Sequence, residues 1–185
     1  MKKYNIAVIV GSLRKESFNL KTAKAMMAMA PKSLSMELLD IAGLPWFNED
    51  LEATPPKEWV TLRENIRAAD GLLFLTPEYN RSVPGVLKNA IDVGSRPYGE
   101  NSWDGKPAGI VSVSIGPISG FGANHHLRQS LVFVNVPTMP QPEAYIGGAA
   151  DLFNDKGKLT NGSTKDFLRN YMEAFEKWVH AHVQQ

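Results

Sequence analysis

The chain of 185 residues contains no cysteine, which excludes disulfide bonds, thiolate nucleophiles and cysteine metal sites. It also lacks an excess of one charge, because 20 Lys and Arg against 19 Asp and Glu leave a formal net charge of +1. Since no basic stripe appears, a nucleic acid partner is not expected. No apolar run reaches the roughly 20 residues that a membrane-spanning helix needs. We therefore expect a cytoplasmic protein without a membrane partner.

Two common nucleotide-binding patterns are also missing. The apolar run from Tyr4 to Val10 is followed neither by a loop ending in Gly-Lys-Ser/Thr nor by Gly-x-Gly-x-x-Gly. This disfavours nucleoside triphosphates and the usual mode of dinucleotide binding at this position. The histidines give no metal site either, because His125 and His126 are adjacent and His180 and His182 are two apart.

A small polar loop, Gly11 to Asn19, stands where those patterns would be, before an apolar-periodic stretch from Leu20 to Ala30. The order of strand, loop and helix places free N–H groups and the positive end of a helix where an anion can bind. Arg14 adds a forked cation, and neutral donors come from Ser12, Ser17 and Asn19. A terminal monophosphate is the predicted ligand; the alternative is an ordinary turn with a helix cap.

Alternating apolar runs and helical stripes predict one doubly wound α/β domain over residues 1–185, with helices on both faces of the sheet. Buried strands are predicted at Ile6–Val10, Leu72–Leu75 and Ala108–Val113, with an edge strand at Met36–Leu39. Another run, Val132–Val136, predicts a further strand that continues through Thr138 and Met139. We expect five parallel strands in the order 2-1-3-4-5, with ligands at their carboxyl ends.

Helices are predicted from apolar stripes between these runs. One stripe begins near Pro55 and Pro56, the second is entered through Ser82 and Pro84, and the last closes the chain. Their members are Trp59, Leu62, Ile66 and Ala69; Val83, Val86, Leu87, Ala90 and Ile91; and Phe167, Tyr171, Phe175 and Trp178.

The loops after strands 3 and 4 share the unusual chemistry of the loop after strand 1. The loop from Thr76 to Gly85 contains two prolines, which stiffen it. Its Tyr79 ring can lie against a flat heterocycle, and the Asn80 amide can both donate and accept hydrogen bonds. Ser112 to Gly122 contains glycines that leave the backbone open to close approach. Rigid turns without a ligand remain the alternative. A flavin mononucleotide (FMN) fits the three loops together, with its phosphate at the first loop and its ring across the others.

Three motifs in this order make the chain resemble the NAD(P)H-dependent FMN reductase family, in its quinone- and chromate-reducing branch. They are Gly11-Ser12-Leu13-Arg14 with Ser17-x-Asn19, Leu44-Pro45-Trp46-Phe47-Asn48-Glu49-Asp50-Leu51, and Pro77-Glu78-Tyr79-Asn80-x-Ser82-Val83-Pro84-Gly85-x-Leu87-Lys88-Asn89-Ala90-Ile91-Asp92. The likeness extends through Gly105-Lys106-Pro107 and His126-Leu127-Arg128-Gln129.

The resemblance implies a flavodoxin-like fold and a flavoprotein that passes electrons from NADPH or NADH to quinones, flavins, chromate or similar acceptors by a ping-pong mechanism. It implies that the phosphate and ribityl end is bound by Ser12, Arg14, Ser17, Asn19 and Leu20. It implies that the isoalloxazine ring is bound by Pro77, Glu78, Tyr79 and Asn80, with Ser114 and Gly116 closing the site. No protein residue is required as a catalytic acid or nucleophile.

The resemblance also implies a homodimer, often paired into a homotetramer, in which the Phe47–Asp50 segment lies near the flavin pocket of a neighbouring subunit. Some residues depart from the family pattern: Arg81, a possible substrate contact, stands where relatives often carry an aromatic residue, and Val93 stands where Trp is common. Gly122 and His125 replace residues that some relatives use in subunit contacts. The alternatives left open are a non-catalytic flavodoxin-type electron carrier and a flavin-binding sensor.

Overall fold

Five strands form one parallel sheet in the computed structural model, which describes residues 2–183. They are β1 (Tyr4–Val10), β2 (Leu34–Leu39), β3 (Gly71–Thr76), β4 (Ala108–Val113) and β5 (Ala144–Ile146). Every residue of β3 and β4 is buried, as expected for strands that are covered on both faces. The order β2-β1-β3-β4-β5 confirms the predicted topology and the flavodoxin-like fold class.

Five α-helices connect and cover the strands. They are α1 (Phe18–Ala28), α2 (Lys57–Ala68), α3 (Gly85–Gly94), α4 (Phe121–Phe133) and α5 (Gly162–Val183), and two short 3-10 helices lie at Glu49–Leu51 and Ala149–Asp151. Within residues 2–183, no helix is both long enough and apolar enough to cross a membrane. The prediction of one domain over residues 1–185 includes positions outside the described range and stays a prediction.

The alternation of side chains along each strand divides the interior into two apolar cores. In β1, Ile6 and Val8 face one core and Ala7 and Ile9 face the other, as the two-residue period of a strand requires. The first core is closed by α1 and α5, and the second by α2, α3 and α4. The chain therefore leaves β1 toward one face of the sheet and leaves β3 toward the opposite face.

The fifth strand was predicted in the wrong place. Val132 belongs to α4, which ends at Phe133, and the chain then turns at Asn135 with φ 56°. An apolar run rich in valine resembles a buried strand, but here Val134 and Val136 bury their side chains in the second core beneath the end of the helix. Thr138 contributes only an isolated bridge to Ala108. The true fifth strand, β5, has three residues, which are too few to give a periodic pattern.

Four stacked side chains fix the segment from Leu44 to Leu51 against α2. The Phe47 and Trp59 rings stack with centroids 5.6 Å apart. The guanidinium of Arg96 lies 5.7 Å from the centre of the Phe47 ring, and that of Arg63 lies 5.5 Å from the Trp59 ring. Burial lowers the pKa of Arg63, whose Nε donates to the Val93 carbonyl at 2.9 Å. The two stacked rings therefore lie between two guanidinium groups, and these contacts stabilise the segment.

Asn89 ties this segment to α3 and so connects two of the sequence motifs. Its buried side chain accepts a hydrogen bond from the Phe47 N–H at 2.8 Å and donates to the Pro45 carbonyl at 3.2 Å. Trp59 Nε1 donates to the same carbonyl at 2.8 Å. The neighbouring Trp46 is left 66% exposed on an otherwise fixed segment.

Asn89→Ala is expected to lower the free energy of unfolding by about 1–3 kcal/mol, because it leaves the Phe47 N–H without its acceptor. Lys88→Ala is the matched control, since Lys88 is exposed and makes only the ordinary i,i+4 pair with Asp92; its effect is expected to stay within about 0.5 kcal/mol. Urea unfolding followed by tryptophan fluorescence measures both. Equal effects of the two substitutions would contradict the role given to Asn89.

Candidate functional site

A cavity of about 180 Å³ opens where β1, β3 and β4 end. Eight of the eleven predicted site residues line it: Ser12, Arg14, Ser17, Asn19, Pro77, Glu78, Tyr79 and Ser114. Phe18, Val113 and Ile115 complete the lining and had not been predicted. The three loops with unusual chemistry therefore meet at one place, at the carboxyl edge of the sheet where the strand order reverses.

Leu20, Asn80 and Gly116 were also predicted at the site but do not line this cavity. Leu20 lies inside α1, where its N–H donates to the Ser17 side chain at 3.2 Å. Asn80 is exposed at the tip of its loop. Gly116 donates its N–H to the Ser114 hydroxyl at 3.1 Å, so it helps to position a residue that lines the cavity.

The loop after β1 presents the start of α1 to the cavity. Ser17 is the N-cap of α1: its backbone is extended, and its hydroxyl oxygen accepts the Leu20 N–H. A hydroxyl that accepts in this way keeps its own proton for donation to a ligand. Arg14 is exposed, and within residues 2–183 it forms no salt bridge; its charge acts on Glu16, whose close partner is Lys21. A free guanidinium beside a helix N-terminus is suited to an anion.

Asn19 supplies the clearest sign that this cavity takes a polar ligand. Its side chain is buried, and Nδ2 donates to the Val113 carbonyl at 3.2 Å. Its Oδ1 is buried and has no hydrogen-bond partner among the described residues. Because an unpaired buried acceptor is costly, a donor from a bound molecule fits this position. The hydroxyl-rich ribityl chain of FMN carries such donors.

The loop after β3 ends in a tight reverse turn. Tyr79 and Ser82 exchange backbone hydrogen bonds, each 3.0 Å long. Between them, Asn80 and Arg81 both adopt left-handed backbone conformations, with φ 51° and 64°. The turn holds the Tyr79 ring half exposed at the cavity.

The first turns of α4 hold the loop after β3 in place, which sequence analysis missed. Glu78 Oε2 accepts the Ala123 N–H at 3.1 Å, and the His126 and Ser82 side chains lie 3.0 Å apart. Gly122 lies against the same loop: a Cβ there would be 2.9 Å from the Arg81 carbonyl oxygen. Positions 122, 123 and 126 fall on one helix face, but no local pattern predicts which loop they contact.

Another residue that departs from the family pattern, His125, forms an aromatic cluster beside the site. Its Nε2 lies 3.1 Å from the Tyr145 hydroxyl, and its ring centre lies 4.1 Å from that of Phe121. Burial, with a hydrogen bond to Glu143, raises the pKa of Tyr145 to about 12. Tyr145 is therefore a neutral hydroxyl at physiological pH.

Comparison with known proteins agrees with this geometry. Residues 4–151 match the NADPH-dependent FMN reductase family. A quinone reductase from Pseudomonas putida is 59% identical over 177 residues, 95% of each chain. A 2-hydroxy-1,4-benzoquinone reductase from Burkholderia is 41% identical over 94% of this chain and 95% of its own. The solved structure of FerB, a flavoenzyme NAD(P)H:(acceptor) oxidoreductase from Paracoccus denitrificans, is 42% identical, with a TM-score of 0.91 over 97% of this chain and 98% of its own.

The chain belongs to the NADPH-dependent FMN reductase family. This confirms the predicted family, the enzyme class of oxidoreductase and the expected cofactors, FMN with NAD(P)H as electron donor. The roles of individual residues stay predictions. The buried acceptor on Asn19, the free Arg14 and the capped start of α1 form a set of groups that fits FMN.

Proposed function

We propose that this protein is an FMN-dependent NAD(P)H:quinone oxidoreductase that works by a ping-pong mechanism. The observation that carries the proposal is the meeting of three loops around one cavity that holds an unpaired buried acceptor, Asn19 Oδ1. The similarity to reductases named for quinones supports quinones as the acceptor class. Flavins and chromate are proposed as further acceptors on the weaker ground of family resemblance.

Groups at the start of α1 would hold the phosphate of FMN. Ser12 and Ser17 offer hydroxyl donors, Arg14 offers a guanidinium, and the helix end offers backbone N–H groups. Asn19 would accept from the ribityl chain with the oxygen that is unpaired in the protein. The cationic group of the lining, Arg14, belongs to this end of the cavity, which would give the cofactor one orientation.

The loops after β3 and β4 would hold the isoalloxazine ring. When bound, FMN would supply the redox chemistry between the nicotinamide and the acceptor. The protein contributes position and exclusion of water: Pro77 and Tyr79 border the cavity, and the apolar Val113 and Ile115 complete its wall. We propose that the nucleotide and the acceptor use this cavity in turn, so that the nucleotide leaves before the acceptor enters, which gives ping-pong kinetics.

The rival function is that of an electron carrier, which binds FMN but does not react with NAD(P)H. Such carriers are usually strongly acidic because they dock on basic partners, and the net charge of +1 disfavours this role. The two functions differ in their response to nucleotide alone.

Anaerobic NADPH is expected to bleach the flavin absorbance of the FMN-loaded protein, and a later addition of benzoquinone is expected to restore it. Steady-state rates at several quinone concentrations should give parallel double-reciprocal lines. A flavoprotein that stays oxidised under NADPH and also under NADH would be a carrier. Intersecting double-reciprocal lines would be consistent with reductase activity but would exclude a ping-pong mechanism.

Arg14→Ala is expected to raise the dissociation constant for FMN about tenfold or more, since it removes a charged partner of the phosphate. Lys15→Ala is the matched control, because Lys15 is also exposed and cationic but does not line the cavity. Fluorescence titration of apoprotein with FMN and with riboflavin separates the effects. The Arg14 substitution should weaken FMN but not riboflavin; equal loss for both would exclude a phosphate contact.

We further propose a homodimer, able to pair into a homotetramer. Several large apolar side chains are exposed, among them Leu13, Trp46, Phe121 and the cavity residue Ile115. Exposed apolar surface of this kind is covered where a second subunit binds. Light scattering coupled to size exclusion should give twice or four times the mass of 20.4 kDa. A monomer at all concentrations would contradict the proposal.

The cytoplasmic location of the protein stays a prediction.

A further inference from the structure

Arg81 occupies a backbone conformation that arginine rarely adopts. The turn between Tyr79 and Ser82 places Asn80 at φ 51° and Arg81 at φ 64°. Asparagine tolerates this left-handed region, but glycine is the usual second residue of such a turn. Arginine here costs free energy that glycine would not. The fold therefore gives no reason for an arginine at this position, and strain of this kind is often retained for function.

The guanidinium of Arg81 is held by a single, replaceable contact. The side chain is 72% exposed, and Nη1 lies 3.2 Å from Glu78 Oε1. Within residues 2–183 it makes no other hydrogen bond or ion pair. Since a guanidinium carries five N–H donors, most of them point into water. Glu78 lines the cavity, so these free donors lie beside the mouth of the proposed site.

Glu78, in contrast, has a second partner that does not depend on Arg81. Its side chain is only 11% exposed, and Oε2 accepts the Ala123 N–H at 3.1 Å. This N–H belongs to the first turn of α4, at the positive end of the helix. A Cβ at Gly122 would be 3.0 Å from the same carboxylate oxygen, so the carboxylate is closely packed. Glu78 can therefore release Arg81 without becoming an unpaired buried charge.

We propose that Arg81 binds a phosphate group of the reduced nicotinamide nucleotide, and that Glu78 holds its guanidinium beside the site until the nucleotide arrives. This inference rests on the proposed function, because it assigns a contact for the substrate of that reaction. A guanidinium fork matches the geometry of a phosphate. Arg14 lies on the loop after β1, so the two arginines serve different anions. The nucleotide offers two candidates: the pyrophosphate of NADH and NADPH, and the 2′-phosphate of NADPH alone.

Arg81→Gly separates nucleotide binding from protein stability, because affinity for the nucleotide should fall while thermal stability should not. Anaerobic stopped-flow reduction of the FMN-loaded variant gives an apparent Kd for the nucleotide apart from the limiting rate. We expect this Kd to rise about tenfold for at least one nucleotide. The thermal midpoint should stay equal or rise, since glycine fits the positive φ. The Kd of the wild type should also increase with ionic strength, and that of the variant should increase less.

Two further substitutions of Arg81 keep the test decisive. Arg81→Asn removes the charge with a residue that also tolerates the left-handed region, and it should reproduce the loss of affinity. Arg81→Lys retains the charge without the fork, and its loss should be smaller. Both variants are compared at equal FMN content.

Glu78→Gln tests the proposed competition. The amide oxygen still accepts the Ala123 N–H, but the charge that holds Arg81 is gone. The apparent Kd for the nucleotide should fall in the wild-type background and not in Arg81→Gly, which a double-mutant cycle detects. An equal fall in both backgrounds would show a general charge effect and overturn the role of Glu78.

The pattern across nucleotides identifies the phosphate. A loss for NADPH alone assigns the 2′-phosphate, and a loss for both nucleotides assigns the pyrophosphate; either result supports the proposal. Unchanged Kd values for both nucleotides in Arg81→Gly, with unchanged salt dependence, would overturn it. If neither nucleotide reduces the FMN-loaded wild type, the proposed function itself fails, which is a separate and distinguishable result.

Discussion

The reversal of strand order between β1 and β3 is the constraint on which the site depends. Right-handed crossovers carry the chain from β1 to α1 on one face of the sheet and from β3 to α3 on the other. The loops at these two strand ends therefore diverge and leave a crevice. The protein needs no separate domain to form a cavity, because the topology opens one. The loops then decide what the cavity binds.

Two residues of this crevice depart from the local rules of folding. Asn19 leaves a buried acceptor unpaired, and Arg81 stays in a left-handed conformation that costs backbone free energy. Elsewhere the buried polar groups are largely paired: Asn89 and Asn124, for example, both bond to backbone groups of distant segments. Departures of this kind beside a cavity are expected where a ligand completes the structure.

Much of this architecture could be predicted because its strands are buried on both faces. Continuous apolar runs at β3 and β4 leave no ambiguity about their position. The run at Val132 was assigned wrongly because a buried helix end and a buried strand have the same composition. Meanwhile β5 has only three residues and gives no periodic pattern. The strand order nevertheless holds, because any short strand after α4 is forced to the free edge beside β4.

Contacts between loops could not be predicted in the same way, and they determine how the site is held. Glu78 and Ala123 are 45 residues apart, and nothing in either segment indicates that a carboxylate will accept that N–H. The bond nevertheless fixes the loop after β3 through a donor on the helix backbone, which no substitution at position 123 other than proline removes. Glu78 therefore keeps its hydrogen bond to the Ala123 N–H, while its ion pair with Arg81 can be exchanged for a ligand. The difference follows from burial, because water weakens the ion pair of Arg81 far more than it weakens the packed hydrogen bond of Glu78.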